Sequence, residues 1–454
     1  MGCLRLRGVP RDQGHAGARG RVSLLSIGPV RDPAAVTPGY RTYVLTLLLI
    51  VYIVNFVDRQ VLAVLIEPIK HDLDLSDTQL GFLSGFAFAL FYVTFGVPLA
   101  RLADRKSRRD LIVVCMAAWS AMTAVCGFAA NFVQLLAARI GVAIGEAGCV
   151  APAHSIIADY YPPHQRAFAI SVFSSGASIG IFAGLMLGGW LSELYGWRMT
   201  LVIIGLPGIL VALLVMATLR EPIRGMTLAP GLVAAVVPGP AGFREDIGRL
   251  VRRQSLSIIA VAAGFSAMVT YGTATWLPAF YIRVHQLPIS EVGTMLAIIT
   301  GLGAGVGAVA GGGLAGWLAR RDRRWLLWVP AVATTAGTPL YVVAVMAPEP
   351  GLSLLALAPA AMLCAVFAPA ALAAVHGVSG AALRATGISL MLFMSNILGI
   401  GGGALVVGFV SDLFVGAEPT LSLRYGLIVV LLANVLAVIG YLWASTTLLR
   451  DWQD

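Results

Sequence analysis

The chain has 454 residues, 58% of them hydrophobic and only 12% charged, with a mean hydropathy of +0.87. Soluble domains carry about 25% charged residues. Half that density cannot cover a water-facing surface of this size, so a soluble globular enzyme is excluded, and disorder is excluded by the same numbers. An integral, all-α membrane protein with many spans remains. The net charge of +9 would suggest nucleic-acid binding in a soluble protein. Here the basic residues sit in short loops between apolar stretches, so no nucleic-acid partner is expected. The five cysteines, Cys3, Cys115, Cys126, Cys149 and Cys364, show no CxxC spacing, and neither a metal site nor a cofactor is expected.

Residues 1–40 are rich in Arg, Gly and Pro without helical periodicity, and read as a disordered basic cytoplasmic tail or an over-extended start. The opening Met-Gly-Cys fails the myristoylation pattern at Leu6. A span needs about 20 mostly apolar residues. Windows of that length give twelve: 41–66, 78–100, 110–130, 133–160, 166–192, 198–219, 256–284, 291–318, 325–347, 352–376, 382–413 and 422–449. The longest connection, 221–254, turns amphipathic and basic over 243–253, as a helix lying on a membrane surface would. It separates a six-helix bundle over 41–220 from another over 255–454. With the N-terminus inside, 25 Lys and Arg fall on cytoplasmic segments and four (Lys70, Arg198, Arg283, Arg424) on the other face. Positive charge stays inside, so both termini are expected in the cytoplasm of an inner-membrane, multi-pass protein.

The loop after the second span runs Leu102, Ala103, Asp104, Arg105, then Arg108 and Arg109, with Ala100 and Ser107 at positions where G-x-L-A-D-R-x-G-R-R has glycine. It resembles the signature of the major facilitator superfamily, whose halves are internal repeats. The resemblance implies the major facilitator fold, alternating access and a cytoplasmic gate formed by Asp104, Arg105, Arg109, Asp159 and Glu221, with Arg105 paired to Asp159 or Glu221. A plain positive-inside loop is the competing reading. The related loop at 320–324 has Arg320 at the acidic position, so no gate role is carried there.

A narrower resemblance, to the spinster-like branch of lysolipid and sphingolipid transporters, rests on Asn55-Phe56-Val57-Asp58-Arg59, on Arg139 and Glu146, and on Pro152, His154, Ser155, Asp159 and Pro162. It continues through Tyr195-Gly196-Trp197-Arg198 and Arg220-Glu221-Pro222. It is dense over 40–222 and thinner beyond.

Asp58, Arg59, Arg139 and Glu146 are charges within spans, which normally face the bundle interior and pair. Counted from the span ends, Asp58 lies about 12 Å deep, Arg139 about 9 Å and Glu146 about 20 Å. An Asp58–Arg139 contact is therefore feasible if the first and fourth spans adjoin, with Glu146 deeper in the cavity. Desolvation and a neighbouring arginine act oppositely on a carboxyl's proton affinity, which suits a proton carrier. The resemblance implies the same role for Asp58 and Glu146, tuned by Arg59 and Arg139, one of which meets an anionic headgroup. A static salt-bridge cluster is the alternative. His154 shares the face of Glu146, as part of a proton path or as a hydrogen-bonded helix residue.

The second half lacks mid-membrane charge. Tyr271, Trp276 and Asn396, with Asn55 and His154 from the first half, are the candidate cavity-lining residues. A charged half facing an apolar one suits an amphiphile. The expected protein is a monomeric, proton-coupled carrier of a lysophospholipid or similar lipid amphiphile, the alternative being a proton-driven multidrug or organic-anion transporter. The six histidines are scattered, and neither HExxH nor GxSxG occurs, so an intramembrane enzyme lacks its parts.

Overall fold

The computed structural model describes residues 36–227, 248–414 and 419–453. The tail up to residue 35 and residues 243–247 of the expected amphipathic stretch at 243–253 lie outside these. Eleven described helical segments are long and apolar enough to cross a membrane. They are α1 (Pro38–Leu73), α2 (Asp77–Arg105), α3 (Arg108–Cys126), α4 (Phe132–Tyr160), α5 (Pro163–Thr218) and α6 (Gln254–His285). The rest are α7 (Ile289–Ala319), α8 (Trp325–Met346), α9 (Pro350–Gly380), α10 (Thr386–Phe414) and α11 (Leu421–Asp451).

Segment α5 has 56 residues; straight, it would run about 84 Å, against a hydrocarbon core of about 30 Å. Gly196, with φ 75° and ψ 165°, breaks it where the hydropathy windows leave a gap, between 192 and 198. A side chain at that φ would be strained, which is why glycine occupies the bend.

Local chemistry sets the helix starts. Thr37 caps α1 ahead of Pro38, Ser76 and Gln79 form a reciprocal capping box on α2, Ser107 caps α3 and Asn131 caps α4. Along the first arm of α5, Gly176, Gly180, Gly184 and Gly188 recur at four-residue spacing and lie on α1. A Cβ at Gly184 would sit 2.9 Å from the Val57 carbonyl oxygen. Apolar side chains do not drive helices together in lipid, so close backbone approach through glycine supplies the packing. Large apolar residues such as Phe128, Val309 and Leu355 point outward, as lipid contact requires.

The first-half helices α1–α5 and the second-half helices α6–α11 meet at one end of the molecule, the end carrying the turns at 74–76 and 286–288. There Arg283 of α6 pairs with Glu67 of α1 and Asp77 of α2. The backbone N–H groups of Asp77 and Thr78 donate to Asp412 of α10. Trp190 of α5 donates to Thr294 of α7. Glycine again allows the approach: a Cβ at Gly293 would lie 2.5 Å from the Leu185 carbonyl oxygen, and one at Gly85 2.7 Å from that of Ile400. We call this the closed end.

At the opposite end, Arg105 does not meet Asp159 or Glu221 in this arrangement, which is closed at the other end. Asp104 and Arg105 are exposed at the end of α2. Asp159 and Glu221 are held instead by Arg108, at 2.5 and 2.7 Å. Ser107 ends the turn and starts α3, which points the next side chain, Arg108, into the first-half bundle. There it also donates to Ser155 and the Pro222 carbonyl oxygen. Arg109 is buried, its backbone N–H on Glu221 and its side chain on Asp110. Replacing Arg108 with alanine leaves Asp159 buried without its cation, a loss of about 3–5 kcal/mol. The expected result is a lower temperature of aggregation in fluorescence-detected size-exclusion chromatography, with Arg105→Ala close to wild type.

Candidate functional site: a charged cavity between the two halves

A cavity of about 230 Å³ lies between the halves below the closed end. The first half contributes Phe56, Arg59 and Gln60 from α1, Ser84 and Phe88 from α2, and Arg139 from α4. The second half contributes uncharged side chains, among them Thr270, Tyr271, Thr300, Tyr341 and Ile400. All of the charge on the wall therefore sits on one side. Three π-helical stretches, Phe82–Ala87, Ala297–Gly303 and Ser395–Gly402, each supply a lining residue: Ser84, Thr300 and Ile400. Such stretches widen a helix locally, re-aim its side chains, and collect at functional sites.

From the wall, Arg59 reaches back to a buried carboxylate. Arg59 Nε donates to Glu146 Oε2 at 2.5 Å, and Glu146 is fully buried. The feasible Asp58–Arg139 pair is not formed: no ion pair within 4 Å joins those two. The reason is helix phase, since successive residues point about 100° apart around the axis. With Arg59 turned to α4 and the cavity, Asp58 faces α3 and accepts from Thr123 Oγ1 at 3.3 Å. Asp58 and Asn55 are almost wholly buried. Several polar atoms here have no hydrogen-bond partner: Asp58 Oδ1, both amide atoms of Asn55, Arg139 Nε, Glu146 Oε1 and Ser84 Oγ.

An aromatic shell encloses the cations. The Arg59 guanidinium lies 5.4, 5.0 and 4.7 Å from the rings of Phe56, Phe88 and Tyr92. Arg139 lies 5.5 Å from Phe88. The sequence reading missed this shell; a Phe or Tyr in a span carries no signal that sets it apart from lipid-facing aromatics.

The candidate lining residues divide. Tyr271 lines the cavity. Trp276 does not: it is fully buried between α6 and α10, donating to the Ala404 carbonyl oxygen at 2.8 Å. Asn396 donates to the Leu392 carbonyl oxygen of its own helix, as short polar side chains in helices often do. His154 packs edge-on against Phe173 at 5.0 Å, and Asn55 sits behind the wall beside the ion pair. Among the described residues, no group of three or more His, Cys, Asp or Glu is arranged to hold a metal.

Membrane-crossing helices in two groups, closed together at one end around a buried charged cavity, define a membrane transporter. The Major Facilitator Superfamily profile matches residues 48–404, and the chain belongs to that family, whose members here are transporters rather than enzymes. It is 32% identical over 401 residues to an MFS-type efflux pump of Mycolicibacterium smegmatis, covering 87% of this chain and 91% of that protein. Its fold matches the crystal structure of a bacterial homologue of the human lysosomal transporter Spinster, in an inward-facing, unoccupied conformation. That match has a TM-score of 0.85 at 32% identity and covers 92% of this chain and all of that one. Protein spinster of Drosophila melanogaster is 26% identical over 308 residues, 64% of this chain and 50% of that protein. The chain is thus a spinster-like member of the superfamily.

Proposed function

We propose that the protein exchanges protons for a lysophospholipid or similar lipid amphiphile, by alternating access, across a bacterial inner membrane. In this reading α5 contributes two spans, which makes twelve. Both termini are cytoplasmic, in keeping with the basic loops, and the closed end faces out. The observation that carries the proposal is the one-sided cavity, with Arg59 and Arg139 on one wall, Glu146 paired to Arg59 behind it, and only uncharged side chains on the other wall. A zwitterionic or anionic headgroup suits the first wall and an acyl chain the second. Glu146 and Asp58 carry the proton: protonation of Glu146 releases Arg59, which is then free to meet an anionic group of the cargo. Asp104, Arg105, Arg109, Asp159 and Glu221 act at the cytoplasmic end when the molecule faces outward. One proton moving down 100 mV supplies about 2.3 kcal/mol, enough to sustain roughly a 50-fold cargo gradient at one proton per cycle.

A second reading, a proton-driven multidrug or organic-anion exporter, is favoured by the likeness to the M. smegmatis efflux pump. Competition separates the two. Movement of a fluorescent lysophospholipid by the reconstituted protein is expected to fall with unlabelled lysophospholipid and to be unaffected by a hexuronate or by ethidium. Competition by either of those, with none from lysophospholipid, would replace the first reading by the second.

A further inference from the structure

Phe88 follows directly on the π-helical stretch Phe82–Ala87 of α2 and is 3% exposed. Its ring meets two cations brought by other helices, 5.0 Å from the guanidinium carbon of Arg59 on α1 and 5.5 Å from that of Arg139 on α4. It also stacks on Tyr92, ring centroids 5.8 Å apart and nearly parallel. An aromatic face is electron-rich, so a ring in this place attracts both guanidiniums. An aliphatic side chain of similar size would fill the space without that attraction.

Three residues earlier on the same helix, Gly85 is pressed against the second half. A Cβ there would lie 2.7 Å from the Ile400 carbonyl oxygen and 2.9 Å from the Ala404 Cβ. Segment α2 therefore touches α10 with one side and the two arginines with another, across less than one helical turn. Any shift of α2 as the halves part must carry the Phe88 ring with it.

We infer that Phe88 is a positioning residue that holds Arg59 on Glu146 and ties the state of the α2–α10 contact to that ion pair. Its consequence for transport rests on the reading of Glu146 as a proton carrier; the placement of Arg59 does not. The charged and titratable groups around the Arg59–Glu146 pair are Asp58 and Tyr52 on α1, Tyr92 on α2, Arg139 and Cys149 on α4, and Tyr271 on α6. None of these is changed by substituting Phe88.

The test is an arginine Nε–Hε nuclear magnetic resonance titration of the full chain in nanodiscs, with the Arg59 signal assigned by its loss in Arg59→Lys. In wild type and Phe88→Tyr, Arg59 Hε should appear far downfield at neutral pH, bonded to the Glu146 carboxylate. It should return to the ordinary position as acid protonates that group. In Phe88→Leu it should already be displaced toward the ordinary position at neutral pH, with a midpoint about half a pH unit or more higher, a roughly threefold change in proton affinity. Phe88→Met serves if the leucine variant loses the Arg108 and Arg283 signals that report folding. An Arg59 signal and midpoint unchanged in both aliphatic variants would overturn the inference. If the Arg59 signal ignores pH in every protein, the proton-carrier reading falls, and the neutral-pH position alone decides the role of Phe88.

Discussion

Replacing Arg283 with alanine is expected to open the closed end of the molecule. One guanidinium there holds two carboxylates from the other half: Nε and one terminal nitrogen lie on Glu67 at 2.9–3.2 Å, and both terminal nitrogens lie on Asp77, at 2.7 and 2.9 Å. Asp77 is fully buried and Glu67 nearly so. Asp77 also accepts from Lys70 and from Ser411 of α10, each at 2.6 Å. Without Arg283 the closed arrangement confines two carboxylates, with Lys70 the strongest cation left beside them. Removing one partner of a buried pair costs about 3–5 kcal/mol, a factor of some hundreds to thousands in the closed-to-open ratio at tenfold per 1.4 kcal/mol. Spin labels at positions 74 and 286 report it. Their distance should lengthen in Arg283→Ala and in Gly293→Leu, and should stay near wild type in Arg198→Ala, whose partner Asp72 belongs to the same half. Lysine at 283 should rescue only in part, because a point charge cannot span both carboxylates. Wild-type distances in Arg283→Ala would mean that the remaining contacts, through glycine, Asp412, Ser411 and Trp190, suffice to close this end.

The second large effect concerns Glu146→Gln. Glutamine keeps the size and a hydrogen-bond acceptor for Arg59 but can neither take up nor release a proton. Movement driven by a pH gradient should fall at least tenfold and lose its pH dependence. Counterflow, in which labelled cargo exchanges for unlabelled cargo with no net proton movement, should persist. Asp58→Asn should do the same less completely, since Asp58 has only the Thr123 hydroxyl and no ion pair. Loss of counterflow together with thermal stability would instead identify the cluster as a brace between helices.

Much of the architecture is legible in hydropathy because lipid leaves so few choices: every described membrane segment lies over an expected span, and the gap ahead of Arg198 contains the bend at Gly196. Azimuth is less legible than height. Residue counting gives Asp58, Arg139 and Glu146 depths of about 12, 9 and 20 Å, yet which neighbour each meets depends on how a helix is turned about its axis. Adjacent residues 58 and 59 ended on different partners for that reason. The basic loop after α2 shows the same limit, since a run holding Arg105, Arg108 and Arg109 does not say which one turns inward until the Ser107 cap is known. Trp276 and Asn396 resemble lining residues only while the packing of α6 and α10 is unknown. The Glu67–Asp77–Arg283 lock was hidden for a different reason. Its members sit at span ends, where a charge is read first as topology.

Proteoliposomes carrying an NBD-labelled lysophospholipid test the central claim, proton-coupled movement of a lipid amphiphile, most directly. The measurement is the fraction of label protected from external dithionite, with and without an acidic lumen. Wild-type protein should raise the protected fraction severalfold when the lumen is acidic. That gain should vanish with a protonophore and be absent in Glu146→Gln. Equal protection with and without the gradient, in folded and correctly inserted protein, would contradict proton coupling; protection no greater than in empty liposomes would contradict the lipid cargo as well.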